Sequence, residues 1–221
     1  MPVTLGEEVM LLSLDDESGQ AKDKWAAACA VASGLLLELA RAGRVGVDDG
    51  LLEVTDASPT GDALLDGRLE RIAAWAPTSR SATVANWLRK EQWKTVEATL
   101  TSLRERGIVT EERHRVLGLF PVRRYPEADG TVERELRGRL ARVVLEGAEP
   151  DERTGALIGL LHGARLHGLA FPDLPRGQVE PRMAAIAEGQ WAGDAVRDAI
   201  RTTQAALVAA TTAAVVAATM T

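Results

Sequence analysis

Between Lys22 and Ala42 runs a helical segment that is apolar almost all round, with Trp25, Ala28, Val31, Leu35, Leu36 and Leu39 distributed over its circumference. A helix with no polar face is stable only when other elements surround it. The rest of the chain must therefore build a shell about this segment, and Gly43 is placed to end it as a C′ residue. With 221 residues the chain can provide that shell as one domain with a full core. No linker or repeat divides it.

The shell reads as mostly helical. Thr4-Leu5-Gly6-Glu7 has the capping-box pattern and opens a short apolar helix through Leu14. Asp15-Asp16-Glu17-Ser18-Gly19 ends that helix in a solvated turn. Val45 to Val54 predicts two short strands joined at Asp48-Asp49-Gly50. Amphipathic helices follow at about 61–75, 80–92 and 94–106, and Gly107 stops the last. The alternating stretch from His114 to Tyr125 predicts a second hairpin. Helices resume at about 131–147, 151–168, 180–188 and 192–220. The expected fold is a mainly α single domain: a central hydrophobic bundle, amphipathic helices around it, and one or two small β-hairpins. Thr202 to Thr221 is uncharged but mostly Ala and Thr, which suits a core helix better than a membrane span. Met1 leads straight into the capping box, with no signal-peptide pattern.

Reactive constellations are sparse. The one cysteine, Cys29, lies on the apolar helix with no basic neighbour within a turn, so it reads as a buried, inert thiol. His162 and His167, five apart on one expected helix, should point about 140° away from each other and form no two-histidine metal face. No phosphate loop and no Gly-x-Ser-x-Gly elbow is present. Asp62 and Asp66 fit helix-start electrostatics. The expectation is a protein that is not an enzyme and holds no cofactor and no metal.

Two features point to binding instead. Trp25 stands at the start of the central helix beside Lys22 and Lys24, an arrangement suited to a membrane interface as well as to a core cap. From Arg113 to Arg124 the chain has four arginines and no acid, interleaved with Val116, Leu117, Leu119, Phe120 and Val122. Such a hairpin suits an anionic partner, either lipid headgroups or nucleic-acid phosphate. The net charge of −6 argues against general DNA coating. A winged helix-turn-helix nonetheless fits the pattern of helices 80–92 and 94–106 followed by a basic hairpin. Its would-be recognition helix lacks a row of base-reading side chains.

Taken in order, several of these segments resemble the Golgi phosphoprotein 3 family: Leu5-Gly6-Glu7-Glu8-Val9-Met10-Leu11-Leu12, then Leu36-Leu37-Glu38-Leu39-Ala40, then Pro59-Thr60-Gly61-Asp62 with Leu64-Leu65-Asp66, then Asn86-Trp87 and Leu103-Arg104-Glu105-Arg106-Gly107. The resemblance runs from about residue 4 to 219. It implies a non-enzymatic peripheral membrane protein that binds phosphatidylinositol 4-phosphate. It also implies contacts with cytoplasmic tails of membrane proteins, and a hairpin at about 111–124 that drives oligomerisation. By that resemblance Trp25 matches the pocket tryptophan, while the positions of the pocket arginines fall at Ala32 and near Trp93 and Val96. The nearby cations are Arg89, Lys90 and Lys94. The hairpin residues carried over are Arg115, Val116, Leu117, Leu119 and Phe120. The Arg- and Ala-rich composition and the short N-terminus point to a bacterial member.

The resulting expectation is a cytoplasmic protein, peripheral on the inner face of the membrane, that recognises an anionic lipid headgroup, a phosphoinositide foremost, through Trp25, Arg89, Lys90 and Lys94. A nucleic-acid-binding module and an oligomeric interaction scaffold without a lipid site are the two rival readings.

Overall fold

A computed structural model describes residues 3–14, 24–116, 120–126, 128 and 130–188, together with 202, 205, 206 and 208. Eight helices are assigned among them: α1 (Leu5–Ser13), α2 (Lys24–Arg41), α3 (Ala63–Trp75), α4 (Val84–Glu105), α5 (Thr131–Val144), α6 (Glu152–Gly163), α7 (His167–Ala170) and α8 (Arg176–Ala187). Two antiparallel hairpins complete the fold. One pairs β1 (Val45–Asp48) with β2 (Leu51–Val54), and the other pairs β3 (Glu112–Val116) with β4 (Phe120–Arg124). The mainly α, hairpin-bearing architecture expected from periodicity is the one observed.

The all-round apolar segment is α2, and it is central: every residue from Ala27 to Leu37 is buried. It packs against α1, α3, α4 and α6. Gly43, at φ +69°, turns the chain out of α2, a conformation that costs a residue with a Cβ extra energy. Helix α1 is buried along its whole length. Its capping box forms as the sequence predicts: the Thr4 N–H donates to Glu7 Oε2 at 2.7 Å, and the Glu7 N–H donates to Thr4 Oγ1 at 3.2 Å. Glycines let α1 and α2 touch backbone to backbone. A Cβ on Gly34 would lie 2.8 Å from the Gly6 nitrogen, a distance that only a residue without a side chain permits.

Three arginines from three elements then clamp α1. Arg106 donates to Glu7 at 2.8 Å, Arg139 to Glu8 at 2.8 Å, and Arg153 to Glu8 at 3.0 Å and to Glu38 at 2.8 Å. These carboxylates are buried or nearly so, and the charge-assisted bonds compensate their desolvation.

Several boundaries depart from the sequence expectation. The helices expected at 80–92 and 94–106 are one helix, α4. Nothing near Trp93 breaks a helix, and Thr95 Oγ1 donates back to the Glu91 carbonyl at 2.9 Å within an unbroken ladder. A helix-turn-helix needs a turn there, so the winged-helix reading is overturned. The helix expected at 151–168 ends at Gly163, because Arg165 takes a left-handed conformation (φ +59°) and the chain restarts as α7. The helix expected at 180–188 begins four residues earlier, at Arg176, so Pro181 lies inside it. The helix expected at 131–147 stops at Val144. The acidic turn at 15–19, Lys22, and nearly all of the helix expected at 192–220 lie outside the described residues. Within that last stretch Thr202, Ala205, Ala206 and Val208 are helical.

Candidate functional site

The docking residues picked from the sequence lie on two helices that pack together, α2 and α4. Trp25 is in the first turn of α2 and is half-buried. Its indole meets Trp93 of α4 edge-on, with ring centroids 6.0 Å apart and planes at 67°, the geometry that the ring quadrupole favours. Trp93 is the outer member of the pair and is 49% exposed. Trp25 is the inner one, and its Nε1 is buried without a hydrogen-bond partner. One turn along α2, the Cys29 thiol donates to Gln92 Oε1 at 2.6 Å, and burial pushes its pKa up to about 12. The inert reading of Cys29 holds.

On α4 the buried side carries Trp87, Leu88, Glu91, Gln92 and Thr95. The solvent side carries Arg89, Lys90, Trp93 and Lys94. Spacings of three and four residues stack these four within about two turns. Lys24, just before Trp25, is exposed as well. Among the described residues neither Arg89 nor Lys90 makes an ion pair; Arg89 donates instead to Asn86 Oδ1. Arg89, Lys90 and Lys94 thus share the solvent side of α4 with Trp93, which packs on Trp25. Sequence reasoning did not pair Trp93 with Trp25; the contact spans 68 residues of chain.

Behind this face lies a charge cluster that sequence reasoning missed. Glu91, 1% exposed at its side chain, accepts from Arg71 Nε at 2.6 Å and from a terminal nitrogen of Arg71 at 2.8 Å, and Lys94 Nζ stands 3.6 Å away. Burial alone would raise the Glu91 pKa, but the hydrogen bonds and charge of Arg71, with Lys94 and Arg68, hold it below the usual carboxylate range. Arg68 is one turn before Arg71 on α3. Its Nε and one terminal nitrogen are buried and have no hydrogen-bond partner. The Arg-x-x-Arg spacing on α3 was the available signal, but only the α3–α4 contact gives it meaning. The three positions marked by the resemblance for arginines hold Ala32, which is buried, Trp93, and Val96, which is half-buried.

A separate cleft of about 960 Å³ lies along α5, lined by Arg106, Arg139, Arg142 and Arg153. Three of these four already hold Glu7, Glu8 and Glu38 together.

The other sequence candidates resolve as follows. Asp62 caps α3, accepting from the Leu64 and Leu65 N–H groups at 2.9 and 3.1 Å. Asp66 accepts from the Thr60 N–H and hydroxyl, each at 2.6 Å, and so closes the loop before the helix. The histidines contradict the expectation. Because the chain reverses at Arg165, His162 Nδ1 and His167 Nε2 are 3.1 Å apart, with rings at 86°. Burial lowers both pKa values. For His167 the charges of His162 and Arg176 add to it, while Glu180 opposes the shift at both rings. No group of three or more metal-ligating side chains forms among the described residues. In the second hairpin Arg115 pairs with Pro121 and Val116 with Phe120. Leu117 and Leu119 lie outside the described residues, as do the side chains of Arg115, Val116 and Phe120.

Comparison with known proteins adds to this geometry. The family model of Golgi phosphoprotein 3 (GPP34) matches residues 5–203. The chain is also similar to vacuolar protein sorting-associated protein 74 of Eremothecium gossypii, 30% identical over 168 residues that make up 65% of this chain and 49% of that relative. It thus spans about half the length of the curated relative it matches. The family match begins at the first residue of the capped, buried α1 and runs past the end of α8, and on that basis the chain belongs to the Golgi phosphoprotein 3 (GPP34) family.

Proposed function

We propose that the protein docks on an anionic membrane surface, recognises a phosphorylated lipid headgroup such as that of phosphatidylinositol 4-phosphate or a related phosphoinositide, and catalyses no reaction there. The observation that carries this reading is Trp93: a half-exposed indole, braced by Trp25 and on the same exposed side of α4 as Arg89, Lys90 and Lys94, on a chain whose net charge is −6. An amphipathic ring among cations suits the boundary between headgroups and acyl chains. Near an anionic leaflet an unpaired cation such as Arg89 or Lys90 contributes about 1 kcal/mol of attraction. The protein would be peripheral, on the cytoplasmic face. No helix among the described residues is long and apolar enough to cross a membrane. Hairpin β3–β4, with two outer edges for strand pairing, is the element proposed for self-association.

Vesicle co-sedimentation tests the reading. Wild-type protein should sediment with anionic vesicles and not with zwitterionic ones. Trp93→Ala should weaken the binding while the protein stays folded, with the small loss of melting temperature that one aromatic pair accounts for. An absence of binding to anionic and phosphoinositide-containing vesicles at low salt rejects it.

A further inference from the structure

We propose that Arg68 forms a subsite for a phosphate monoester in the groove between α3 and α4. The inference rests on the membrane-docking reading and adds a headgroup contact to it.

Of the two arginines one turn apart on α3, only Arg71 reaches the buried Glu91. Arg71 binds it with two hydrogen bonds. Arg68 contributes its field but receives no bond: two of its guanidinium nitrogens are buried and unpartnered, and the charge of Arg71 repels it. A guanidinium has five N–H donors, no acceptor, and does not shed its proton. Its unmet demand is therefore for an external acceptor. Arg71 and Lys94 stand at the single carboxylate of Glu91, and Arg68 is held near them without an ion pair of its own.

Arg68 and Lys94 line a groove of about 480 Å³, and Lys94 is the residue next to Trp93. Glu97 and Glu105 also line this groove, about one and three turns beyond Lys94 along α4. Their carboxylates repel an anion, so the Arg68–Lys94 end is the part of the groove proposed to take one. Binding there by fork geometry needs at least two free oxygens on one group. A phosphate monoester offers three and approaches a double negative charge near neutral pH. A phosphodiester, the linkage of an ordinary anionic phospholipid, offers two oxygens and one charge. The subsite should therefore favour a terminal phosphate, on a lipid headgroup or on a soluble molecule. The guanidinium that binds it stands on α3, away from Ala32, Trp93 and Val96.

The experiment compares vesicles of phosphatidylglycerol, a diester, with vesicles in which phosphatidic acid or phosphatidylinositol 4-phosphate supplies the same total charge. A parallel arm titrates soluble glycerol 2-phosphate and follows tryptophan fluorescence. Wild-type protein should prefer the monoester vesicles roughly tenfold, the size of one charge-assisted hydrogen bond. Arg68→Gln should bind monoester vesicles only as well as diester ones, with diester binding unchanged. Arg68→Lys keeps the charge without the fork and should lose most of the preference even if Arg68→Gln does not fold. Equal wild-type binding to both vesicle types, or a preference that survives both substitutions, overturns the subsite while docking stands. Glycerol 2-phosphate binding that is lost in Arg68→Lys, without any vesicle binding, supports the subsite and overturns docking instead. Failure in both arms overturns both.

Discussion

Replacing Arg89 and Lys90 together by glutamine tests the proposed membrane attraction of the exposed arc of α4. Both side chains are solvent-facing, and neither is ion-paired among the described residues. Near an anionic surface each contributes about 1 kcal/mol. The double variant should lose about 2 kcal/mol, roughly a thirtyfold drop in vesicle partitioning. Lys94 is the internal control. Its ammonium stands 3.6 Å from the buried Glu91, so part of its field is already neutralised. Lys94→Gln should weaken binding to diester vesicles by no more than about threefold, less than either neighbour alone. The assay is co-sedimentation with phosphatidylglycerol vesicles at several salt concentrations. The wild-type salt dependence should be steeper than that of the double variant, because exposed charges act over a Debye length of about 10 Å at moderate salt. Double-variant binding within twofold of wild type would show that α4 does not face the bilayer. A Lys94→Gln loss as large as that of the double variant would show that ion pairing inside the cluster is not what decides the contribution.

Two further outcomes follow from the packing. Gly34→Ala should lower the urea midpoint: helix propensity alone favours alanine by about 1 kcal/mol, but its Cβ would stand 2.8 Å from the Gly6 nitrogen and 2.9 Å from the Leu5 carbonyl carbon, and overpacking costs about 1–3 kcal/mol or more. A midpoint at or above wild type would refute the backbone contact between α1 and α2. The histidine pair should make stability fall as pH drops below about 6.5, because the unfolded chain then takes up protons that the folded pair resists. Each proton contributes at most about 1.4 kcal/mol per pH unit. Glu91, with its depressed pKa, loses its contribution only at lower pH, where an unfolded carboxylate is protonated. Thermal melts from pH 7 to 5 should therefore be flatter for His162→Gln/His167→Gln, and an equal slope in both proteins would refute the assignment.

The sequence is most legible where a local chemical signal and the global packing agree. Thr4 with Glu7, Asp62 ahead of α3, and glycines at 43 and 107 each mark an element end through a hydrogen bond or a positive φ that only a few residue types supply. Where the signal is weak the reading fails. Arg165 turns left-handed without being glycine or asparagine, so no residue type announces the break. The angle expected between His162 and His167 assumed an unbroken helix and was wrong for that reason alone. The division of α4 at Trp93 had the opposite cause, since it supposed a break where no residue makes one.

The candidate site divides along the same line. Trp25 stands out in the sequence beside Lys22 and Lys24, and Arg89, Lys90 and Lys94 are the cations near the positions that the family resemblance marks. Arg68 does not stand out, since its character is set by which of two arginines Glu91 accepts, and that depends on how α3 meets α4. The same contact bears on specificity. An arginine pocket at positions 32, 93 and 96 would enclose a headgroup, whereas Ala32, Trp93 and Val96 leave an aromatic edge with cations spread over an exposed arc. Spread cations respond to the charge density of a surface, while a buried fork responds to the oxygens of one group. On the two proposals made above, these kinds of recognition are divided between α4 and α3. Substitutions on α4 should therefore change how tightly a membrane is held, and substitutions at Arg68 should change which phosphate is chosen.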